Sequence, residues 1–309
     1  MNREMAQVSI QCGGHQDSVV QLSYSRNCES GYYLASAGLD GLAMLRHGDT
    51  GLWIDTFDGH QGEVTGVCLN ADASILATSS ADETARIWNA LTGLELKSFT
   101  QPGEVTCVQL DGGSTRMVTG CRGSEHYVTV FDVEASDQNP LETFLGHTRG
   151  VRNVIFCRDD RALLTSSYDR TVRMWDRQSG QETNSIELPH HAKSLELHPD
   201  GKTVTLAYGS SLVFLDVDKF EVLQHRKMGF KVAGATLHPS KDRFICATRN
   251  GDIYKYEYST TELQDIYSLM GVCCVAYSPD GKMCASSSAT GQITLWEQKN
   301  PSDVSHEPY

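Results

Sequence analysis

Apolar and polar positions alternate in short runs along this chain, and the runs return at one interval. The clearest case lies between residues 146 and 176. Three β-branched and apolar runs, Val151–Phe156, Ala162–Ser166 and Thr171–Trp175, are separated by the polar breaks Arg158-Asp159-Asp160 and Tyr168-Asp169-Arg170. Runs of this length bounded by such breaks predict a three-strand antiparallel meander. The unit opens on Gly146-His147 and closes on Trp175-Asp176. Three strands cannot bury both faces of their own sheet, so further copies must stack on them.

The copies are present. Gly59-His60 leads to Asp82 and ends on Trp88-Asn89, while Gly14-His15 leads to Asp40 and ends on Arg46-His47. Degenerate copies end on Phe131-Asp132, Leu215-Asp216, Tyr256-Glu257 and Trp296-Glu297. These endpoints are spaced by roughly 40 to 44 residues, the period of propeller blades. Gly-His followed by Trp-Asp at that period resembles the WD-repeat family, which implies an all-β, seven-bladed WD-repeat β-propeller. Seven blades occupy residues 1–299 as one domain, and the polar stretch 300–309 reads as a disordered tail. The run Ala6–Cys12 precedes the first Gly-His and belongs to no blade of its own. It is expected to form the outer strand of the seventh blade, beside Cys273–Tyr277, Met283–Ser287 and Gln292–Trp296. That placement closes the ring and removes its open edge. Glu134–Pro140 reads as an exposed connector after the third blade.

Composition narrows the picture. No apolar run approaches the roughly 20 residues that a membrane-spanning helix needs, and the N-terminus lacks a basic-then-apolar signal pattern. The ten cysteines form no C-x-x-C pair and sit mostly within strand-like runs, where a thiol behaves as a small apolar group. A reduced, cytoplasmic or nuclear protein without a metal site is expected, and no cofactor is called for. The net charge of −13 argues against general nucleic-acid binding, which draws on positive charge.

Candidate chemistry reduces mostly to structure. His147, Thr165, Asp169 and Trp175 invite a catalytic reading, but His60, Thr78, Asp82 and Trp88 repeat the same types at the same offsets. A buried indole N–H needs an acceptor, and a buried carboxylate needs donors. A Trp–Thr–His–Asp chain meets both needs, and repetition is what a structural role predicts. No phosphate-binding loop, nucleophile elbow or zinc-protease motif is present. His190-His191 falls in a polar inter-blade loop. A hydrolase using an Asp or His at the central channel remains an alternative, and one funnel-facing His or Glu with a strongly shifted titration would favour it.

The rim that carries the Gly-His loops changes character around the ring. Blades one to three offer mixed or acidic positions. Blades four to six offer Arg152, Tyr168, His191, Lys193, Tyr208, Lys231 and Arg249, a basic and aromatic sector on an acidic protein. Arg and Tyr are enriched at interface hot spots, so the sector is a candidate partner-binding rim. The alternative is a solvated rim whose charges pair with neighbouring acids.

The run from Met44 to His60, MLRHGDTGLWIDTFDGH, follows Gly38-Leu39-Asp40-Gly41. Together they resemble the family of serine-threonine kinase receptor-associated (Unrip) proteins. Thr84-Ala85-Arg86-Ile87-Trp88-Asn89-Ala90 and Tyr277-Ser278-Pro279-Asp280-Gly281-Lys282 are similar too, the latter being common among WD repeats. The family's longer acidic tail is reduced here to a few residues after Gln298. The resemblance implies a non-enzymatic adaptor whose partners are proteins. They would be SMN-complex components that assemble Sm cores on small nuclear RNAs, an Unr-like RNA-binding protein, and receptor-kinase signalling proteins. No direct nucleic acid and no membrane are expected, and the chain would be monomeric within a hetero-complex. The i-type subunit of translation initiation factor three is the alternative, although the MLR-x-GDTG run does not look like its first blade.

Overall fold

The computed structural model describes residues 9–123, 127–269 and 271–298. Seven four-stranded antiparallel sheets make up the described chain, each built from strands consecutive in sequence except the one that closes the ring. All seven predicted endpoints fall at the ends of third strands, from Ala43–His47 and Thr84–Asn89 through to Ile293–Glu297. Ser9–Cys12 pairs with Ile293–Glu297, with Ser9 opposite Trp296 and Cys12 opposite Ile293, so the ring closes as the sequence implied. Residues 6–8 of the expected closing strand and the expected tail at 300–309 lie outside the described residues.

Blades one to six also have a fourth, outer strand that the three-strand pattern does not predict, whereas that of blade seven is the expected closing strand. In blade four it is Glu182–Glu187, ETNSIE, almost wholly exposed. Such a strand is held by backbone pairing to its inner neighbour and turns little apolar surface inward, so no alternation marks it. In blade three it begins at Pro140, which shortens the exposed connector by one residue. Proline is tolerated there because the first residue of an edge strand has no ladder hydrogen bond to lose.

Buried side chains form seven clusters, one at each contact between neighbouring blades. Ile155, Leu164 and Met174 of blade four meet Leu195, Leu206 and Leu215 of blade five. Ala276, Ala285 and Leu295 of blade seven meet Val19, Leu22 and Leu34 of blade one. Strand alternation sends one side-chain set toward the preceding blade and the other toward the following blade, which is why no blade is stable without its neighbours.

The innermost strands face the central channel with an unpaired edge, and side chains satisfy it. Gln21 accepts from the Val67 N–H (3.2 Å), Ser23 from Leu69 (3.3 Å) and Ser194 from Ala235 (3.3 Å), each reaching into the next blade. Every inner strand also bulges near its start, at residues 19–21, 64–66, 105–107, 151–153, 192–194, 232–234 and 272–274. A bulge inserts one extra residue and re-aims its side chain. In blade four that residue is Arg152 and in blade five it is Lys193.

Candidate partner-binding rim

The Gly-His loop and the turn between the second and third strands meet on one rim, and there the repeated residues join. Trp88 Nε1–H donates to Thr78 Oγ1 (2.9 Å), Thr78 lies 2.7 Å from His60 Nε2, and His60 Nδ1 lies 2.9 Å from Asp82. The second chain is alike: Trp175 to Thr165 (2.9 Å), Thr165 to His147 (2.7 Å), His147 to Asp169 (2.8 Å). Each Thr accepts from the indole and has its own hydroxyl proton free for Nε2, an arrangement that suits an imidazole donating from Nδ1 to the carboxylate. Burial holds His60 below its usual range against the pull of Asp82. Asp82 is opposed by burial but more strongly favoured by hydrogen bonds from Thr84, the Gln61 N–H and His60, which keep it well below the usual carboxylate range.

Partial versions occupy other blades. His15 joins Ser36 (2.8 Å) and Asp40 (3.0 Å), with Arg46 where the tryptophan would be. Gln101 stands in for histidine in blade three and accepts from Thr119 (3.0 Å). Trp296 donates to Ser286 (3.0 Å). In both repeated chains the His is bonded on both sides, to Thr and to Asp, which spends its ring nitrogens on the fold.

Above these chains the rim differs from blade to blade. Arg152 donates from Nη1 to the Tyr168 hydroxyl (2.7 Å), and its guanidinium lies 5.4 Å from the centre of that ring. Tyr168 in turn packs on His191, centroids 5.1 Å apart. Lys193 is pushed down to about 8 by partial burial and then by the charges of Arg152 and Arg249. His191 is lowered by burial and by Lys193, Arg152, His190 and Arg249. Five cationic or potentially cationic side chains therefore sense one another, and no carboxylate contributes to either shift. Lys231 and Arg249 are exposed. Arg152, Lys193, Lys231 and Arg249 make no ion pair among the described residues.

Two rim positions differ from the sequence reading. Tyr208 is buried, 7% exposed, with its hydroxyl 3.4 Å from His225 of the outer strand. It pairs with Ala192 as Ser167 pairs with Val151, so it sits one register step before the place of Tyr168. One step along a strand turns a side chain to the other face, and the residue matching Tyr168 is Gly209. The sequence reading also passed over Arg122, which matches Tyr168 in blade three and is paired with Glu104. Its signal was present: Cys121 opposes Val105 as Ser167 opposes Val151.

Glu196, on the inner strand of blade five, is the one carboxyl among the described residues with a large upward shift. Burial pushes it up to about 8, against the hydrogen bond from Thr236 Oγ1 (3.0 Å). A lone protonated carboxyl meets the titration criterion for the hydrolase alternative. Acid–base catalysis also needs a partner of opposite role, and here the coupled neighbour is the Cys284 thiol, itself held protonated by burial.

Matches to the WD domain, G-beta repeat family (WD40) fall on residues 51–89, 138–176 and 265–297. These stretches end at the units that keep tryptophan: Trp88, Trp175 and Trp296. The chain is 35% identical over 295 residues to a serine-threonine kinase receptor-associated protein of Mus musculus, covering 95% of this chain and 83% of that protein. A protein of the same description from Dictyostelium discoideum is 34% identical over 289 residues, covering 93% and 97% respectively. The eukaryotic translation initiation factor 3 subunit I of Nematostella vectensis is 24% identical over 305 residues, covering 91% and 94%.

Proposed function

The chain belongs to the family of serine-threonine kinase receptor-associated proteins, and from that premise we propose that it is a non-enzymatic WD-repeat adaptor for ribonucleoprotein assembly. In this reading it joins an SMN-type complex that loads Sm cores onto small nuclear RNAs. It works in the cytoplasm with a nuclear pool, and receptor-kinase signalling proteins draw on the same scaffold. It contacts proteins rather than RNA.

The observation that carries the adaptor reading is the contrast in use of charge. The two repeated His–Asp pairs are consumed in hydrogen-bond chains, whereas the rim cations Arg152, Lys193, Lys231 and Arg249 make no ion pair among the described residues, on a protein of net charge −13. Local positive potential of that kind steers acidic partners despite the overall sign. The test is affinity purification from the native cell with identification of co-purifying proteins. Recovery of Sm-core assembly factors supports the proposal. Recovery of initiation-factor subunits instead supports the alternative, whose basis is the 24% identical relative.

A further inference from the structure

Resting on the adaptor reading, the cationic sector can be assigned a partner chemistry. Arg152 is not a surface arginine waving in solvent. Its position in the bulge and its bond to Tyr168 fix the guanidinium, and its Nε–H is buried without an acceptor. Lys193 occupies the same bulge position one blade on, and Arg249 the turn position two blades on. Cations from three consecutive blades thus share one field, Arg152 held by Tyr168, and their repulsion is not offset by any ion pair among the described residues. Beside them lies a cleft of about 470 Å³ lined by Tyr168, His190 and His191, with Arg149 and Arg170 at its sides. The one acid of that cleft, Asp169, is committed to His147 and Thr171.

We infer that this sector docks a phosphorylated serine or threonine segment of a protein partner, the phosphate between Arg152, Lys193 and Arg249 and the peptide along the cleft. A phosphate ester carries about −1.5 to −2 charges and three acceptor oxygens. It therefore offsets the mutual repulsion of three cations and can accept from more than one of them, where one carboxylate does less. Guanidinium groups suit it because their forked donors match phosphate oxygens. The patch is also bounded: Thr65 and Thr106 hold the matching bulge positions of blades two and three, and Glu63 and Glu104, the latter paired with Arg122, sit two residues before them. A long polyanion such as RNA would run from the cations onto those acids, whereas a single dianion would not.

The test uses the full chain and a degenerate peptide library with one fixed phosphoserine or phosphothreonine, its unphosphorylated counterpart, and a single-stranded oligouridylate. Binding is read by fluorescence anisotropy on the parent, Lys193→Glu with Arg249→Glu, and Arg152→Gln. Phosphopeptides should bind at least about tenfold more tightly than unphosphorylated ones. The preference should vanish in the double variant, fall in Arg152→Gln, and weaken as salt rises from about 50 to about 500 mM. Circular dichroism melting keeps a misfolded variant from imitating the result. Equal binding of both libraries, or a phosphate preference untouched by the charge reversals, overturns the inference, as does binding of the oligonucleotide alone. If partners recovered from cells still depend on Lys193 and Arg249 yet survive phosphatase treatment, the phosphate assignment falls while the adaptor reading stands.

Discussion

In blades two and four a tryptophan closes the third strand and starts a hydrogen-bond chain that ends on a rim carboxylate. In blades five and six the same place is held by Leu215 and Tyr256, and aromatic packing carries the load. Phe214 meets Phe244 with centroids 5.5 Å apart, Phe244 stacks on Tyr256 at 5.3 Å, and Phe230 stacks on Tyr254 at 4.3 Å. On the opposite rim, His198 Nε2–H donates to the His238 carbonyl (3.2 Å) and Lys241 pairs with Asp200, tying blade five to blade six. The propeller is thus specified by alternation and stacking, and the polar chain is a reinforcement that a blade can lose. Losing it changes the rim. Blades two and four keep an aspartate there and pair their strand arginines, Arg86 with Glu95 (2.7 Å) and Arg173 with Glu182 (2.8 Å). Blades five and six carry no turn aspartate, and Lys193, Lys231 and Arg249 are left unpaired.

The contrast is sharpest under truncation. Trp175→Ala removes a buried indole and strands Thr165, and should lower the unfolding free energy by about 3–5 kcal/mol. Tyr256→Ala, at the matching but half-buried place in blade six, should cost clearly less. Equal losses in denaturant unfolding would erase the distinction. The next effect is polar. Asp169→Ala leaves His147 and Thr171 without their acceptor and should cost about 1–3 kcal/mol, whereas Asp252→Ala in blade six should stay within about 0.5 kcal/mol. If Asp169→Ala abolished a measurable turnover while melting like the parent, the structural role of the chain would be wrong.

A smaller effect separates the regions by pH. In blade two both His60 and Asp82 are depressed on folding. Their contribution is therefore full above the unfolded histidine value of about 6.5 and is lost as the pH falls. Glu196 in blade five is raised to about 8. Its contribution is full below its unfolded value of about 4.3 and is lost as the pH rises through 8, by at most about 1.4 kcal/mol per unit. Glu196→Gln should flatten the decline in stability between about pH 4.3 and pH 8 and leave the curve below about pH 4 alone. An unchanged slope across that window would show that Glu196 is ionised in the fold.

Much of this was legible before any coordinates. The seven endpoints, the closing strand and the two repeated side-chain sets follow from spacing and from the needs of buried polar groups. What escaped did so for identifiable reasons. Outer strands such as Glu182–Glu187 leave both faces largely to solvent and so carry no period. Tyr208 stands just before its turn, but the shorter turn of blade five moves it one register step from the place of Tyr168 and buries it. The rim place of Arg152 is legible, but the bulge that sets it there and its bond to Tyr168 are not announced by the sequence. Nothing in the sequence marks Glu196, because its proton depends on burial against the neighbouring blade.

The central claim is that the repeated chains hold the fold while the unpaired sector of blades four to six does the binding. Its most direct test is one measurement on three proteins: partner recovery by quantitative affinity purification, with the melting temperature of each bait recorded. For Lys193→Glu with Arg249→Glu the account predicts a melting temperature near the parent and partner recovery that collapses with rising salt dependence in the parent alone. For Asp82→Ala, far from the sector, it predicts a lowered melting temperature with partners still recovered at a temperature where the bait remains folded. Undiminished recovery by the double charge reversal would contradict it and move the interface to the blade edges or the opposite rim.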